Sequence, residues 1–254
     1  MNFKSIVPGI KAVACLRHFR KSGQDVEAAR AAGDFVTERK IINEATTIWS
    51  RDLLRSWGCS LRIKGYDNIP SDGPVAIVMN HQSYCDIVCA CAVIDKFQFG
   101  FIAKAELAKM PFYGKWMMMI RSVLIERNNP RAALKSMNEA TELLKNGFSL
   151  VIFPEGTRSK AHEMGEFKKG SLKFAVRAGV KLLPIVIDGT AEMYEIPGHI
   201  RGWRLKASVL SPIETEGMSK DEESVLHEKL CDMMKSEFSD MISGIDDVEY
   251  KEVL

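Results

Sequence analysis

Two short polar segments, each directly after an apolar run, hold the residue types best suited to chemistry. The first is Asn80-His81-Gln82-Ser83-Tyr84-Cys85-Asp86, which follows the run Val75-Ala76-Ile77-Val78-Met79. If this run is a buried strand and a helix opens after it, His81 lies at the strand exit, where ligands gather in α/β sheets. Asp86 then lies about one turn into the helix, and its carboxylate can fold back onto a ring nitrogen of His81. That bond would fix the tautomer of the imidazole and suit it to act as a general base.

The second segment is Phe153-Pro154-Glu155-Gly156-Thr157-Arg158-Ser159, again after an apolar run. It offers backbone N–H groups around a glycine, a hydroxyl and a guanidinium, which together can bind an anion such as phosphate. Each segment alone also has a plainer interpretation. His81 and Asp86 could simply cap a helix, and the second segment could be an ordinary polar loop.

Taken together, the two segments resemble the glycerolipid acyltransferase family, in particular its bacterial 1-acylglycerol-3-phosphate acyltransferases. Two further blocks look like family motifs: Lys104-Ala105-Glu106-Leu107 with Val123-Leu124-Ile125-Glu126-Arg127, and Leu183-Pro184-Ile185-Val186-Ile187. The resemblance covers about residues 60–210. Arg121 departs from it, because a small residue is expected there, and this leaves the shape of the nearby substrate channel in question.

The resemblance implies transfer of a fatty acyl group from a thioester, acyl-CoA or acyl-carrier protein, to the sn-2 hydroxyl of 1-acyl-glycerol 3-phosphate (lysophosphatidic acid), giving phosphatidic acid. It makes His81 the general base and Asp86 its orienting partner, with direct attack of the hydroxyl on the thioester. The expected phosphate ligands are Lys104, Arg127 and Arg158. The residues expected to shape the glycerol pocket are Glu155, Gly156 and Thr157.

An oxyanion site is also required, and backbone amides around Gly156 or just after His81 are the candidates. Cys85 lies beside the pair, so an acyl-enzyme is a weaker alternative. No metal and no cofactor are expected, because histidines and carboxylates do not cluster at ligand spacing. The remaining histidines are interpreted as surface residues: His18, His162, His199 and His227.

Strands and helices are predicted to alternate from residue 60 onward, which indicates an α/β fold with a mostly parallel or mixed sheet flanked by helices. The predicted strands are 60–64, 75–79, 97–103, 149–153, 180–187 and 204–210. The predicted helices are 84–94, 130–146, 169–178 and 220–238. The six cysteines show no paired zinc-site spacing, and the group Cys85, Cys89 and Cys91 is interpreted as small buried residues on one helix.

The N-terminal residues predict a pair of amphipathic helices, at 8–21 and from an Asp34 N-cap to Trp57. Residues 1–64 carry 12 basic and 6 acidic side chains. Tryptophans among cations are typical of helices at a membrane interface, although a helix pair packed on the protein would show the same periodicity. We therefore expect two units: residues 1–59 as a membrane-surface anchor and residues 60–254 as the acyltransferase domain.

Composition excludes two classes of protein. Apolar residues make up 46% of the 254 residues, too many for a mainly disordered chain, and no apolar run is long enough to span a bilayer. We expect an anionic membrane surface as partner and no nucleic acid. The expected location is peripheral, on the cytoplasmic face of the cell membrane, as for a bacterial-type enzyme without a secretory signal. Three alternatives remain: a different acceptor (another lysolipid or glycerol 3-phosphate), an acyl-thioester hydrolase, or a non-catalytic membrane-binding protein.

Overall fold

The computed structural model describes residues 18–110, 113–126, 128–244 and 250–254, with side chains from residue 21. Its strands agree closely with the predicted ones, since most are continuous apolar runs of strand length. They are β1 Ser60–Lys64, β2 Val75–Met79, β3 Phe99–Lys104, β4 Val123–Ile125, β5 Ser149–Ile152, β6 Lys181–Asp188, β7 Arg204–Val209 and β8 Lys251–Glu252. The short strands β4 and β8 were not predicted.

The helices also follow the predicted order. They are α1 His18–Ala31, α2 Phe35–Ser56, α3 Asp86–Val93, α4 Tyr113–Met119, α5 Pro130–Lys145, α6 Lys173–Ala178 and α7 Lys220–Ser243. Helix α4 was missed, and α6 begins four residues later than predicted. No helix in the described ranges is long and apolar enough to cross a membrane.

All eight strands form one sheet in the order β4-β3-β5-β2-β6-β7-β1-β8. The first five strands in this order, β4, β3, β5, β2 and β6, are parallel to one another, whereas β7 is antiparallel to β6. The predicted mixed, mostly parallel sheet is therefore confirmed. The last residues of the five parallel strands define what we call the carboxyl edge: Met79, Lys104, Ile125, Ile152 and Asp188. The opposite side of the sheet is called the amino edge.

Helices cover both faces of the sheet, as alternation along β2 shows. Val75, Ile77 and Met79 pack into one apolar cluster with helices α2, α3 and α4. Ala76 and Val78 pack into a second cluster with α5, α6 and α7. Because β2 is buried on both faces, its sequence is an uninterrupted apolar run.

The N-terminal helix pair is packed against the first of these clusters. Asp34 caps α2 as predicted, since its side chain accepts from the Thr37 N–H at 3.0 Å. Most of the predicted first helix, residues 8–17, lies outside the described residues, and α1 continues to Ala31. Because α2 is packed into this core, deleting it would not test membrane binding cleanly. The division at residue 59 stays a prediction.

Arg121, which departs from the family pattern, fastens this helix pair to the sheet. It has a positive φ of 65° in the turn between α4 and β4. Its guanidinium donates to both carboxylate oxygens of the buried Glu38 on α2, at 2.7 and 2.8 Å. It also lies 4.7 Å from the centre of the Phe148 ring. The position is thus part of a helix-docking contact.

Candidate active site

The carboxyl edge carries the predicted site residues, because each follows or ends a parallel strand. His81 follows β2, Lys104 ends β3, and the segment 153–159 follows β5. One cleft at this edge is lined by residues from all three: His81, Lys104, Gly156, Thr157 and Arg158. The fold therefore brings together in space two segments that lie far apart in the sequence.

His81 and Asp86 form the hydrogen-bonded pair that the spacing predicted, with Nδ1 of His81 2.7 Å from Oδ2 of Asp86. Asp86 is the first residue of α3 and is fully buried. Its Oδ2 also accepts from the backbone N–H groups of Gln82 and Ser83, at 2.7 and 2.9 Å. An ionised carboxylate can only accept, so Nδ1 of His81 carries the hydrogen and Nε2 is left to take a proton.

Thr190 adds a third side chain to this pair, and the sequence analysis missed it. Its buried Oγ1 lies 2.5 Å from Oδ1 of Asp86 and donates to it. Gln82 Oε1 lies farther from the same hydroxyl, at 3.2 Å. Thr190 lies two residues after the end of β6, just as His81 lies two residues after the end of β2. Its position just after an apolar strand, like that of His81, is the sequence feature that could have identified Thr190 as a site residue.

The ring of His81 is held by the second polar segment. It stacks on Phe153 with ring centres 4.2 Å apart. The backbone N–H of His81 donates to Oε1 of Glu155 at 2.7 Å, and the Gly165 N–H donates to Oε2 at 2.7 Å. Burial raises the pKa of Glu155, although these two backbone N–H groups act in the opposite direction. Both carboxylate oxygens thus bind backbone N–H groups, so Glu155 braces the His81 loop, and it is not among the residues that line the cleft.

Arg158 is the predicted phosphate ligand whose surroundings differ most from expectation. Its Nη1 lies 2.5 Å from Oε1 of Glu195, and its guanidinium lies 3.5 Å from the centre of the Tyr84 ring. The Tyr84 N–H donates to the same Glu195 oxygen at 3.2 Å. A carboxylate and an aromatic ring therefore hold the guanidinium at the cleft, and an arriving phosphate would meet a cation that already has an anionic partner.

The other predicted ligands are placed as follows. Lys104 is exposed and lines the same cleft from the end of β3. Gly156 has a positive φ of 68°, and a Cβ there would lie 2.7 Å from Nζ of Lys168, so a side chain is disfavoured at this turn. Thr157 is exposed on the cleft wall. Arg127 lies outside the described residues.

A sequence model of the family described as Acyltransferase matches residues 60–188, about half of the chain. The chain belongs to the acyltransferase family. The matched part of this acyltransferase contains both polar segments and strands β1 to β6.

Curated relatives include the chloroplastic 1-acyl-sn-glycerol-3-phosphate acyltransferase LPAT1 of Arabidopsis thaliana. It is 39% identical over 134 residues, which are 52% of this chain and 37% of LPAT1. The 1-acyl-sn-glycerol-3-phosphate acyltransferase of Pseudomonas aeruginosa is 34% identical over 129 residues, 50% of this chain and 49% of that protein. The acyltransferase thus spans between about a third and a half of these relatives' length.

A solved structure confirms the fold over nearly the whole chain. The crystal structure of the 1-acyl-sn-glycerophosphate (LPA) acyltransferase PlsC from Thermotoga maritima aligns with a TM-score of 0.71 and 26% identity. The alignment covers 93% of this acyltransferase and 98% of PlsC.

Cys85 lies next to the pair in sequence, but its environment does not suit a nucleophile. It is buried, and burial raises the pKa of its thiol far above the ordinary value. A thiol of this kind stays protonated, and the thiolate is the reactive form. Cys89 and Cys91 are also fully buried, which confirms their assignment as small core residues of α3. Cys85 is therefore not an activated thiol.

Three of the backbone amides considered as oxyanion donors already have acceptors. The Gly156 N–H donates to Phe153 O at 3.0 Å. The amides of Gln82 and Ser83 both donate to Asp86. These three amides organise the loops, and the amides of Thr157 and Arg158, which line the cleft, stay candidates for the oxyanion site.

Proposed function

We propose that the chain transfers a fatty acyl group from an acyl thioester to the sn-2 hydroxyl of 1-acyl-sn-glycerol 3-phosphate and so makes phosphatidic acid. The observation that carries this proposal is the shared cleft: a general base with a fixed tautomer lies beside the cations Lys104 and Arg158. A base alone would serve many reactions. A base beside phosphate ligands selects a phosphorylated alcohol as the acceptor. The names of the relatives and of the structural neighbour support the same acceptor.

In the proposed reaction, Nε2 of His81 removes the proton as the acceptor oxygen attacks the thioester carbonyl. Asp86 stabilises the imidazolium that forms and keeps Nδ1 protonated. The tetrahedral intermediate collapses with cleavage of the carbon–sulfur bond, and the imidazolium returns its proton to the departing thiolate. A new ester and a free thiol result. The thioester is already activated, so the reaction calls for no enzyme nucleophile and no cofactor.

The test is thiol release from palmitoyl-CoA and from palmitoyl-carrier protein, each with and without lysophosphatidate. We expect release that depends on the acceptor and forms phosphatidate, and the better donor identifies the physiological thioester. His81→Ala should lose about 10²–10⁴-fold of the rate, the range for removal of a general base. His227→Ala is the matched control, because His227 lies on α7 outside the cleft, and it should retain activity.

Other outcomes would replace the proposal with a named alternative. Release without acceptor that still requires His81 would identify a thioester hydrolase. Transfer to another lysolipid or to glycerol 3-phosphate, and not to lysophosphatidate, would keep the chemistry and change the acceptor. Failure of both donors with a wide acceptor panel would leave a non-catalytic membrane-binding protein.

We further propose that the chain works as a peripheral protein on an anionic bilayer, at the cytoplasmic face of the membrane as in a bacterial-type enzyme. Its acceptor and product are both lipids. Around the cleft, the carboxyl edge exposes apolar side chains: Tyr84, Met110, Ile196 and Trp203. Cations lie among them, including Lys104 and Arg201, whose guanidinium is 4.3 Å from the centre of the Trp203 ring. Apolar and basic groups together favour binding at an anionic interface.

Substitutions in the full chain test this surface without removing a core helix. The double variant Ile196→Ser, Trp203→Ser should bind vesicles of phosphatidylcholine with phosphatidylglycerol at least roughly threefold more weakly, since two exposed apolar groups are removed. Val36→Ser is the matched control. Val36 is the most exposed large apolar side chain in the described ranges, at 70%. It lies at the amino edge, beside Phe35, which contacts Phe148 just before β5. Equal binding by both variants would contradict docking through the carboxyl edge.

A further inference from the structure

Three side chains outside the cleft meet at the end of strand β6. His162 places Nδ1 3.0 Å from Oδ1 of Asp188 and places Nε2 in contact with Oε1 of Glu192. The donor atoms of the three residues lie within 4.8 Å of one another. His162 and Asp188 are separated by 26 positions, so linear spacing gave no indication of the group. His162 is an exposed residue, as predicted, but its two carboxylate neighbours were not predicted, and no metal was expected.

The burial of Glu192 shows that this group differs from a surface ion pair. Its side chain is only 7% exposed, and Asp188 is 14% exposed. Oε2 of Glu192 is buried and accepts no hydrogen bond from any side chain or backbone group in the described ranges. A buried carboxylate oxygen without a donor is costly unless a cation compensates it. Two carboxylates carry more negative charge than a single imidazole can neutralise, and a divalent cation at this group would compensate it.

The donor set also indicates which cation would fit. One imidazole nitrogen with two carboxylate oxygens suits Zn²⁺, which binds nitrogen and oxygen ligands with three protein groups and a solvent molecule. Asp188 and Glu192 contact different ring nitrogens of His162, so the imidazole would turn to present one nitrogen to an ion shared with both carboxylates. Mg²⁺ prefers oxygen ligands alone and keeps several waters. The His162 side chain is 46% exposed, so solvent can reach the group to complete the coordination.

We propose that His162, Asp188 and Glu192 form a binding site for a divalent transition-metal ion, with Zn²⁺ preferred. Such an ion would join the loop after β5 to the turn Ala191–Glu195 that follows β6. Gln82 also reaches this site, since its Nε2 lies 3.3 Å from Oδ1 of Asp188. The ion would therefore brace the loops on either side of the His81–Asp86 pair without touching the reacting atoms. The site does not depend on the acyl acceptor.

The test uses the full chain after treatment with a chelator, titrated with Zn²⁺, Mn²⁺ and Mg²⁺ by calorimetry, with metal content measured after gel filtration. We expect one equivalent of Zn²⁺ at this site, weaker Mn²⁺ and no measurable Mg²⁺. His162→Ala should weaken Zn²⁺ binding at least tenfold. His227→Ala is the control for other zinc-binding histidines and should bind like the wild type.

A second readout separates a lost ligand from a damaged fold. Zn²⁺ should raise the melting temperature of the wild type and of His227→Ala, but not that of His162→Ala, because a ligand stabilises only the form that binds it. Glu192→Gln should behave like His162→Ala. No stoichiometric uptake, or uptake that His162→Ala leaves unchanged, would overturn the proposal. The group would then be an imidazolium shared by two carboxylates.

Discussion

Thr190 donates a buried hydrogen bond of 2.5 Å to Oδ1 of Asp86, the carboxylate oxygen that His81 does not use. Asp86 therefore receives hydrogen bonds at both oxygens, and its plane is fixed relative to the imidazole ring. The residue that orients the proposed base is itself oriented by the segment after β6. Thr190 is thus a positioning residue, acting on His81 through Asp86.

Replacing Thr190 by Val should lower kcat about tenfold and leave the KM for the acceptor nearly unchanged. The Val side chain keeps the shape and removes the donor, and a hydrogen bond to a charged group contributes about 1.5–3 kcal/mol, part of which is felt in the transition state. Steady-state kinetics of acyl transfer measure the effect. Thr190→Ser keeps the hydroxyl and should retain most of the wild-type kcat. An equal loss of kcat in both variants would indicate that side-chain packing at this position matters and that the hydroxyl has no role.

Neutralising Glu195 should tighten binding of the anionic acceptor. Its carboxylate faces the Arg158 guanidinium at 2.5 Å and opposes a second anion at the same cation. Glu195→Gln keeps an acceptor for Arg158 and Tyr84 while removing the charge. We expect the KM for lysophosphatidate to fall about 3–10-fold, or roughly 1 kcal/mol, with kcat little changed.

Ionic strength provides the control for this electrostatic effect. The difference between Glu195→Gln and the wild type should shrink as salt is added, because screening weakens charge–charge interactions. A rise in the KM of Glu195→Gln for lysophosphatidate would contradict the prediction. Glu195 would then serve mainly to hold Arg158 in place, and its charge would not compete with phosphate.

The main features of the site could be predicted because they are local. β2 is a continuous apolar run, as a buried parallel strand is expected to be, whereas β1 alternates exposed and buried residues. Both strands have the predicted bounds, and polar residues that follow β2 lie at the carboxyl edge by geometry alone. The bond between His81 and Asp86 was predicted from their spacing, although Asp86 lies at the first residue of α3 and not one turn into the helix as expected. The mostly parallel strand direction, and the location of the site at the carboxyl edge, could both be predicted without knowledge of long-range contacts.

Contacts between distant segments could not be predicted in this way. Thr190 meets Asp86, Glu195 meets Arg158, and Arg121 meets Glu38 across 104, 37 and 83 positions of sequence, which only the folded chain brings together. Glu155 was assigned to the pocket by its motif, yet its carboxylate binds backbone N–H groups. Strands such as β4 and β8 are too short for a recognisable period.

Cys85 should be dispensable for acyl transfer. Its thiol is buried, and its raised pKa keeps it protonated near neutral pH. We expect Cys85→Ala to keep kcat within about twofold, whereas His81→Ala loses activity, since proton transfer by a positioned base contributes about 10²–10⁴-fold. Intact-protein mass spectrometry during turnover should detect no acylated enzyme.

Thiol labelling provides an independent check on the cysteine environment. In a Cys15→Ser background, the native protein should react slowly with a thiol reagent, because the five remaining cysteines are buried. Denaturation should expose all of them. A trapped acyl-enzyme that disappears in Cys85→Ala would instead establish the two-step route.

Glu38 should be among the side chains that contribute most to stability. Its Oε1 accepts from Nη2 of Arg30 and from Nε of Arg121, both at 2.7 Å. Replacing it with Gln leaves two guanidinium groups without their anion, and breaking a buried ion pair costs about 3–5 kcal/mol. We expect the lower end, about 3 kcal/mol, since both arginines keep some contact with solvent. Urea unfolding at neutral pH measures the loss of unfolding free energy.

Glu44→Gln is the control. Glu44 is exposed on the same helix, and its ion pair with Lys40 has a separation of 4.0 Å. This substitution should change the unfolding free energy by less than about 0.5 kcal/mol.

The pH dependence of the same comparison tests the electrostatic cause. Burial alone would raise the pKa of Glu38, but the hydrogen bonds and charges of Arg121 and Arg30 outweigh it and lower the pKa below 4.5. For an acid with a lowered pKa in the folded state, the stabilisation is complete above the unfolded value and is lost as the pH falls through the folded value. The advantage of the wild type over Glu38→Gln should therefore be constant near neutral pH and should decrease below about pH 4.5. If the advantage does not change with pH down to acid unfolding, the Glu38 contribution comes from packing and neutral hydrogen bonding, and the charge is not its source.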